Sequence, residues 1–168
     1  MIASQLEIIN QGLYYLNIVS KKEYQAIAPP NFISSSGSHM RHIIDHYIAI
    51  MNGIENNNIN YDVRNRQGEL AHNPVVAIEK LNAIKAWLKQ LSPNDFQQSI
   101  TLSTEVSITS KNVQQVQSSI ARELVFAGSH AVHHYAMIAQ ISFAQQLKLP
   151  EGFGLAPATA TFLREECA

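Results

Sequence analysis

The chain reads as an all-α protein, a bundle of four helices, and three features of its sequence lead there. Four long segments place apolar residues three and four apart, the spacing that lines up one side of a helix. Proline, glycine and clusters of Ser or Asn separate those segments, with polar connections between them. Only one stretch, between the third and fourth helices, switches to a period of two, which adds a short β-hairpin to the expected bundle.

The first helix is expected from about Ala3 to Ser20, with Leu6, Ile9, Leu13 and Leu16 as its buried stripe. Pro29-Pro30 forbids continuation, and Ser34-Ser35-Ser36-Gly37-Ser38 supplies capping residues for a second helix. That helix runs to about Asn52, with Met40, Ile43, Tyr47, Ile50 and Met51 on its apolar side; Gly53 and Asn56-Asn57-Asn58 end it. Residues from Ile59 to Asn73 form a polar, irregular connection of a length that often carries function. Asn73-Pro74 has the cap-then-proline form of a helix start, followed by Val76, Ile78, Leu81, Ile84, Trp87, Leu88 and Leu91; Ser92-Pro93-Asn94-Asp95 stops it. Ile100, Leu102, Thr104, Val106 and Ile108 alternate as a strand or hairpin would, without an Asn-Gly or Asp-Gly turn. The fourth helix is expected from about Asn112 to Leu147, with Val113, Val116, Ile120, Leu124, Ala127, Ala131, Ile138 and Ile141 inward. Gly128 interrupts it at a cost of ~1 kcal/mol. After Pro150 come Gly152, Gly154 and Pro157, then one or two helical turns. With no internal repeat or boundary signal, residues 1–168 read as a single domain.

Composition narrows the functional classes. Hydrophobic residues make up 46% of the 168, enough for a substantial core. Charged residues are 15%, against roughly 25% in average proteins, which favours self-association and leads us to expect a homodimer. A net charge of -1 and the absence of any basic run argue against nucleic acid. Apolar runs are broken well before the ~18 residues of a membrane span. The N-terminus lacks a secretory pattern and the single cysteine, Cys167, is penultimate, so a reducing cytoplasmic setting is expected and Cys167 is not read as a nucleophile.

Six of the seven histidines fall in two short helical segments: His39, His42 and His46 in the second helix, and His130, His133 and His134 in the fourth. On a helix, His39, His42 and His46 share an arc of about 60°, so periodicity does not choose among them. His130 and His134 stand at i and i+4 near the centre of the apolar stripe, and His133 is turned about 60° aside. A His-x-x-x-His pair facing a core is a metal-binding pattern, because neutral imidazole is the commonest protein ligand for borderline divalent ions. The bland reading, a hydrogen-bonded histidine, is applied to His39, His46 and His133, and above all to His72 in the polar connection.

With these motifs in place the chain resembles the DinB/YfiT-like superfamily of metal-dependent four-helix proteins. Ser36-Gly37-Ser38-His39-Met40-Arg41-His42-Ile43 is similar to that family's helix-two segment, and His130-Ala-Val-His-His134-Tyr-Ala-Met-Ile138 to its His-x-x-x-His helix. The passage from Leu147 through Pro150 to Gly152-Phe153-Gly154 is similar to the way relatives leave that helix. The resemblance implies a metal triad of His42, His130 and His134 with open positions for water or substrate. The ion would be zinc, nickel, iron or manganese. Many relatives carry Gly-Gln where this chain has Ala136-Met137, and His39, His46 and His133 are additional. The implied activity is hydrolysis or thiol transfer on a small molecule, a thiol among the candidates; the rival class is a non-catalytic, metal-stabilised binding or stress-related module. A closed fourth position, filled by His46 or His39, would favour that rival.

Two carboxylates lie near the histidines. Glu123, seven residues before His130 and on its face, is the preferred catalytic or orienting carboxylate, with Asp45, three after His42, behind it. Arg41, Arg64 and Arg66 can hold an anionic substrate, although exposed arginines usually do nothing so specific. Ser38 and Ser129 show no Ser-His-Asp pattern.

Overall fold

The computed structural model describes residues 1–63 and 68–166. Four long helices form the body: α1 (Ile2–Ile18), α3 (Ser36–Gly53), α4 (Pro74–Leu88) and α6 (Ile120–Ala144). Shorter helices are α2 (Lys21–Gln25), α5 (Pro93–Phe96) and α7 (Pro157–Glu166), and a 3-10 turn covers Glu69–Ala71. Helix α3 packs against α6 and α4, and α1 packs against α4 and α6. The core between them holds Ile9, Met40, Ile43, Ile50, Leu81, Ile84, Leu124 and Ile138, each at most 1% exposed. Buried tyrosines bring hydroxyls into this core: Tyr47 donates to Gln5 Oε1 at 2.7 Å and Tyr24 to the Leu70 carbonyl at 2.7 Å. Among the described residues, no helix is long and apolar enough to cross a membrane.

A three-stranded sheet caps one end of the bundle. Strand β1 (Asn58–Asn60) runs parallel to β2 (Ser99–Glu105), with Ile59 opposite Leu102. Strand β2 pairs antiparallel with β3 (Val113–Ser119), from Ser99 opposite Ser119 to Glu105 opposite Val113. The expected hairpin exists, but it takes residues that the helical period had assigned to the fourth helix. That helix begins at Ile120 rather than Asn112, and Val113 and Val116 are strand residues, 44% and 50% exposed, instead of inward-facing. Three glutamines and two β-branched valines in Val113-Gln-Gln-Val-Gln117 suit a half-exposed strand, and the helix waits for a cap. Ser119 supplies it, its hydroxyl accepting from the Arg122 N–H at 3.3 Å. Val106 and Ile108 lie in the exposed hairpin loop beyond β2.

Other boundaries shift by a few residues. Helix α1 ends at Ile18 because Ser20 caps α2 instead. Helix α4 ends at Leu88, short of Leu91. Helix α6 ends at Ala144, before Gln146 turns to φ 61°. The polar connection after Ile59 contains β1 and the 3-10 turn, and the tail helix α7 is longer than the one or two turns expected. Gly128 sits where α6 crosses α1, and a Cβ there would lie 2.9 Å from Gln5 Nε2 and Ile8 Cδ1. Its place in a helix is therefore explained by close helix approach.

Candidate metal centre

The N-terminus of α3 is set by Ser35, whose hydroxyl accepts from the Ser38 N–H at 3.2 Å. This cap starts the helix so that His39, His42 and His46 occupy successive turns on the side that meets α6. His130, His133 and His134 sit in the middle of α6. Because α3 packs along α6, the two histidine faces meet.

His42 is the hub. Its ring centroid lies 4.5 Å from that of His46, 4.9 Å from His130 and 4.7 Å from His134. His46 and His130 are 4.4 Å apart, and His130 and His134 4.5 Å. One donor nitrogen from each of His42, His46 and His130 falls within 4.8 Å of the others. The Nε2 atoms of His130 and His134 are 3.1 Å apart. Two imidazoles on one divalent ion, each bonded at about 2.0–2.1 Å, hold their nitrogens about 3 Å apart, so this spacing suits a shared cation. The residues whose donor nitrogens all gather within 4.8 Å are thus His42, His46 and His130; His134, the third member of the expected triad, lies outside that group and meets it through His130 Nε2 and the His42 ring, and His46 takes its place.

Protonation also suits a cation. His46 Nδ1 stands 2.9 Å from the His42 carbonyl, which can only accept, so Nδ1 carries a proton and in the neutral ring Nε2 keeps its lone pair. Burial, followed by the neighbouring His130, His39, His133 and His46, pushes His134 down to about 3. Burial and then His133 lower His39. Neutral imidazoles are the metal-binding form.

Glu123 is fully buried. Its carboxylate accepts from the Tyr61 hydroxyl at 2.6 Å, from Arg122 Nη1 at 2.7 Å and from Ser118 Oγ. The Tyr61 ring in turn stacks on His46, centroids 4.8 Å apart and planes at 27°. Burial and then the bond to Glu123 push the Tyr61 phenol up. Glu123 thus reaches the histidines through Tyr61, a residue that sequence reasoning passed over because it sits in an aperiodic connection. Asp45 lies 3.8 Å from Arg41 Nε and lines a 410 Å³ cavity with Ile48, Asn52, Asn58, Asn60 and Lys80. No histidine is in that lining.

The remaining residues singled out in the sequence are scattered around this centre. His39 is half-buried beside His134, and His133 is exposed with its ring 5.2 Å from His134. His72 lies at the end of the 3-10 turn, its carbonyl accepting from Gln25. Ser38 is paired with Ser35. Ser129 lines a groove with Gly128, Val132 and His133. Arg64, Arg66 and Cys167 lie outside the described residues.

Comparison with known proteins bears on the fold. The sequence matches no protein-family model. It is 32% identical over 108 residues to FK506-binding protein 5 of Rhizopus delemar, a stretch that is 64% of this chain. The chain spans about 28% of that protein's length. Among solved structures it superposes on a DinB-like protein of Bacillus subtilis, YjoA, with a TM-score of 0.65, 18% identity and coverage of 90% of this chain and 96% of the other. At that identity the likeness speaks for architecture, and with the helix order and sheet above it establishes that this chain has the DinB-like fold.

Proposed function

We propose that this protein is a divalent-metal-dependent enzyme, of hydrolase or thiol-transferase type, that holds one ion on His42, His130 and His134. The observation that supports this most is the convergence of imidazole nitrogens from two helices, with the His130 and His134 Nε2 atoms 3.1 Å apart around the His42 hub. A zinc, nickel, iron or manganese ion held there would supply Lewis-acid chemistry, polarising a carbonyl or lowering the pKa of water or a thiol. The chain's own residues do the positioning. His46 packs against the His42 and His130 rings with Tyr61 stacked behind it, and Glu123, anchored by three donors, fixes Tyr61 and is the carboxylate proposed to take a proton, with Asp45 behind it. The substrate is proposed to be a small molecule carrying a carbonyl or thiol. We also propose that the protein works as a homodimer through a helix face, which light scattering at micromolar concentration checks.

A second reading has its own support. His46 is one of the three donors that gather within 4.8 Å, with His42 and His130, and if His134 joined them the four protein ligands would close a site in the manner of structural metals. The protein would then be a metal-stabilised binding module. Cobalt substitution separates the two: an open site changes its visible spectrum when a small thiol is added. An unchanged spectrum with cobalt bound sinks the thiol-transferase reading and favours the closed site.

A further inference from the structure

We infer that His39, with Ser34 behind it, is a positioning pair that holds His134 in the one tautomer able to bind a metal ion. The inference rests on the metal reading above and adds to it two residues that are not ligands.

Four side chains form one line of contacts. Ser34 Oγ is 2.8 Å from His39 Nε2, His39 Nδ1 is 2.9 Å from His134 Nδ1, and His134 Nε2 is 3.1 Å from His130 Nε2. With a cation between His130 and His134 both Nε2 atoms would direct lone pairs at it, so only the two outer contacts carry protons; because a neutral imidazole has one N–H and one lone pair, those two protons point the same way. If they point toward His130, His134 carries its proton on Nε2, and that nitrogen has no lone pair for a cation. If they point toward Ser34, His134 carries its proton on Nδ1 and gives it to His39 Nδ1. His39 then donates from Nε2 to the Ser34 hydroxyl, which can accept as readily as donate. Only this second arrangement leaves the His134 Nε2 lone pair facing the position between His130 and His42.

The same contacts argue against His39 as a ligand. In the second arrangement its Nδ1 accepts from His134 and its Nε2 donates to Ser34, which leaves it no lone pair for the ion. Its function is the acceptor at Nδ1. Groups that receive the second N–H of a metal-binding histidine fix its tautomer and ring orientation, and losing one typically costs about 10- to 100-fold in metal affinity.

The experiment uses the full chain and two probes, Co²⁺ and Zn²⁺, titrated in competition with a chromophoric chelator. His39→Ala should weaken binding by about 10- to 100-fold while X-ray absorption still counts the same number of imidazoles on zinc as in the unmodified protein. His39→Asn should recover most of the affinity, because its side-chain oxygen sits near the position of Nδ1 and accepts the same proton. Ser34→Ala should lower affinity by a smaller factor, since it removes only the outer end of the line. Thermal midpoints of the metal-free variants separate a folding defect from a binding one; if His39→Ala does not fold, His39→Asn and Ser34→Ala still carry the comparison. Unchanged affinity in His39→Ala overturns the inference. So does the loss of one imidazole from the zinc shell, or a fall from two bound ions to one, either of which makes His39 a ligand. If the unmodified protein binds neither ion, the metal reading fails first and takes this one with it, whereas normal binding with an indifferent His39 removes this inference alone.

Discussion

At the scale of single residues, the contact between Tyr61 and Glu123 shows how a buried carboxylate is accommodated beside the histidine cluster. A carboxylate with no exposed surface needs its lone pairs satisfied, and Glu123 takes hydrogen bonds from Tyr61, Arg122 and Ser118. Hydrogen bonds to charged groups are worth about 1.5–3 kcal/mol, so Tyr61→Phe should destabilise the protein by about that much in urea unfolding. A loss under about 0.5 kcal/mol would show that water replaces the phenol without cost. The phenylalanine ring can still stack on His46, so metal affinity should fall further in Tyr61→Ala than in Tyr61→Phe. Such pairings lie beyond what the sequence displays. The histidines are legible because helical spacing puts them on shared faces. Tyr61 sits in a connection with no period, and its partner is 62 residues away, so no local signal ties the two. His46 was legible as a residue on the right arc, but its value as a donor follows from a bond to the His42 carbonyl that only the folded helix displays.

Elements show where local chemistry outweighs periodicity. Helix α2 was absent from the periodic reading because five residues make too short a pattern, yet its cap is written in the sequence as Ser20-Lys-Lys-Glu23. The Ser20 hydroxyl accepts from the Glu23 N–H at 3.2 Å, and the Glu23 carboxylate takes the Ser20 N–H at 2.8 Å. The Ser20 hydroxyl, and then its N–H, hold the Glu23 carboxyl below its usual 4.5. A carboxyl lowered in the folded state contributes stability above its unfolded pKa and loses it as pH falls through the folded one. Protection of the α2 amides from exchange, relative to their intrinsic rates, should therefore fall below pH 4.5, and Ser20→Ala should raise the Glu23 pKa and remove most of that change in protection; a Glu23 titration unmoved by Ser20→Ala would count against the box. The same logic explains the hairpin. Alternation from Ile100 to Ile108 marked a strand but not its partner, because Val113 and Val116 also fit a helical stripe. The cap at Ser119 decides between them. Helices α3 and α4, opened by Ser35 and by Asn73-Pro74, began close to where their cap residues stand.

For the whole molecule, the order of elements was legible because each long helix carries its own apolar stripe and its own stop, and that order yields the DinB-like fold. Periodicity alone does not convey that two distant histidine segments meet ring to ring, since this depends on α3 lying against α6; the family resemblance implied it through a triad drawn from both segments. The proposed metal ion would join those helices. His42 and His134 are 92 residues apart, so a cation held by both exists only in the folded bundle and binds the unfolded chain weakly. An ion that binds only the folded state stabilises it by RT ln(1 + [M]/Kd), about 2.7 kcal/mol at one hundred times Kd. For a protein of this length each kcal/mol moves the unfolding midpoint by about 2–4 °C, so saturating zinc should raise it by about 5–11 °C. A chelator should reverse the shift, and the double variant His130→Ala/His134→Ala should abolish it along with bound metal. A rise of the same size in that variant would place the stabilising ion elsewhere and overturn the proposed centre. A rise lost only when His46 is also replaced would make His46 a ligand and draw the site toward the closed, structural form.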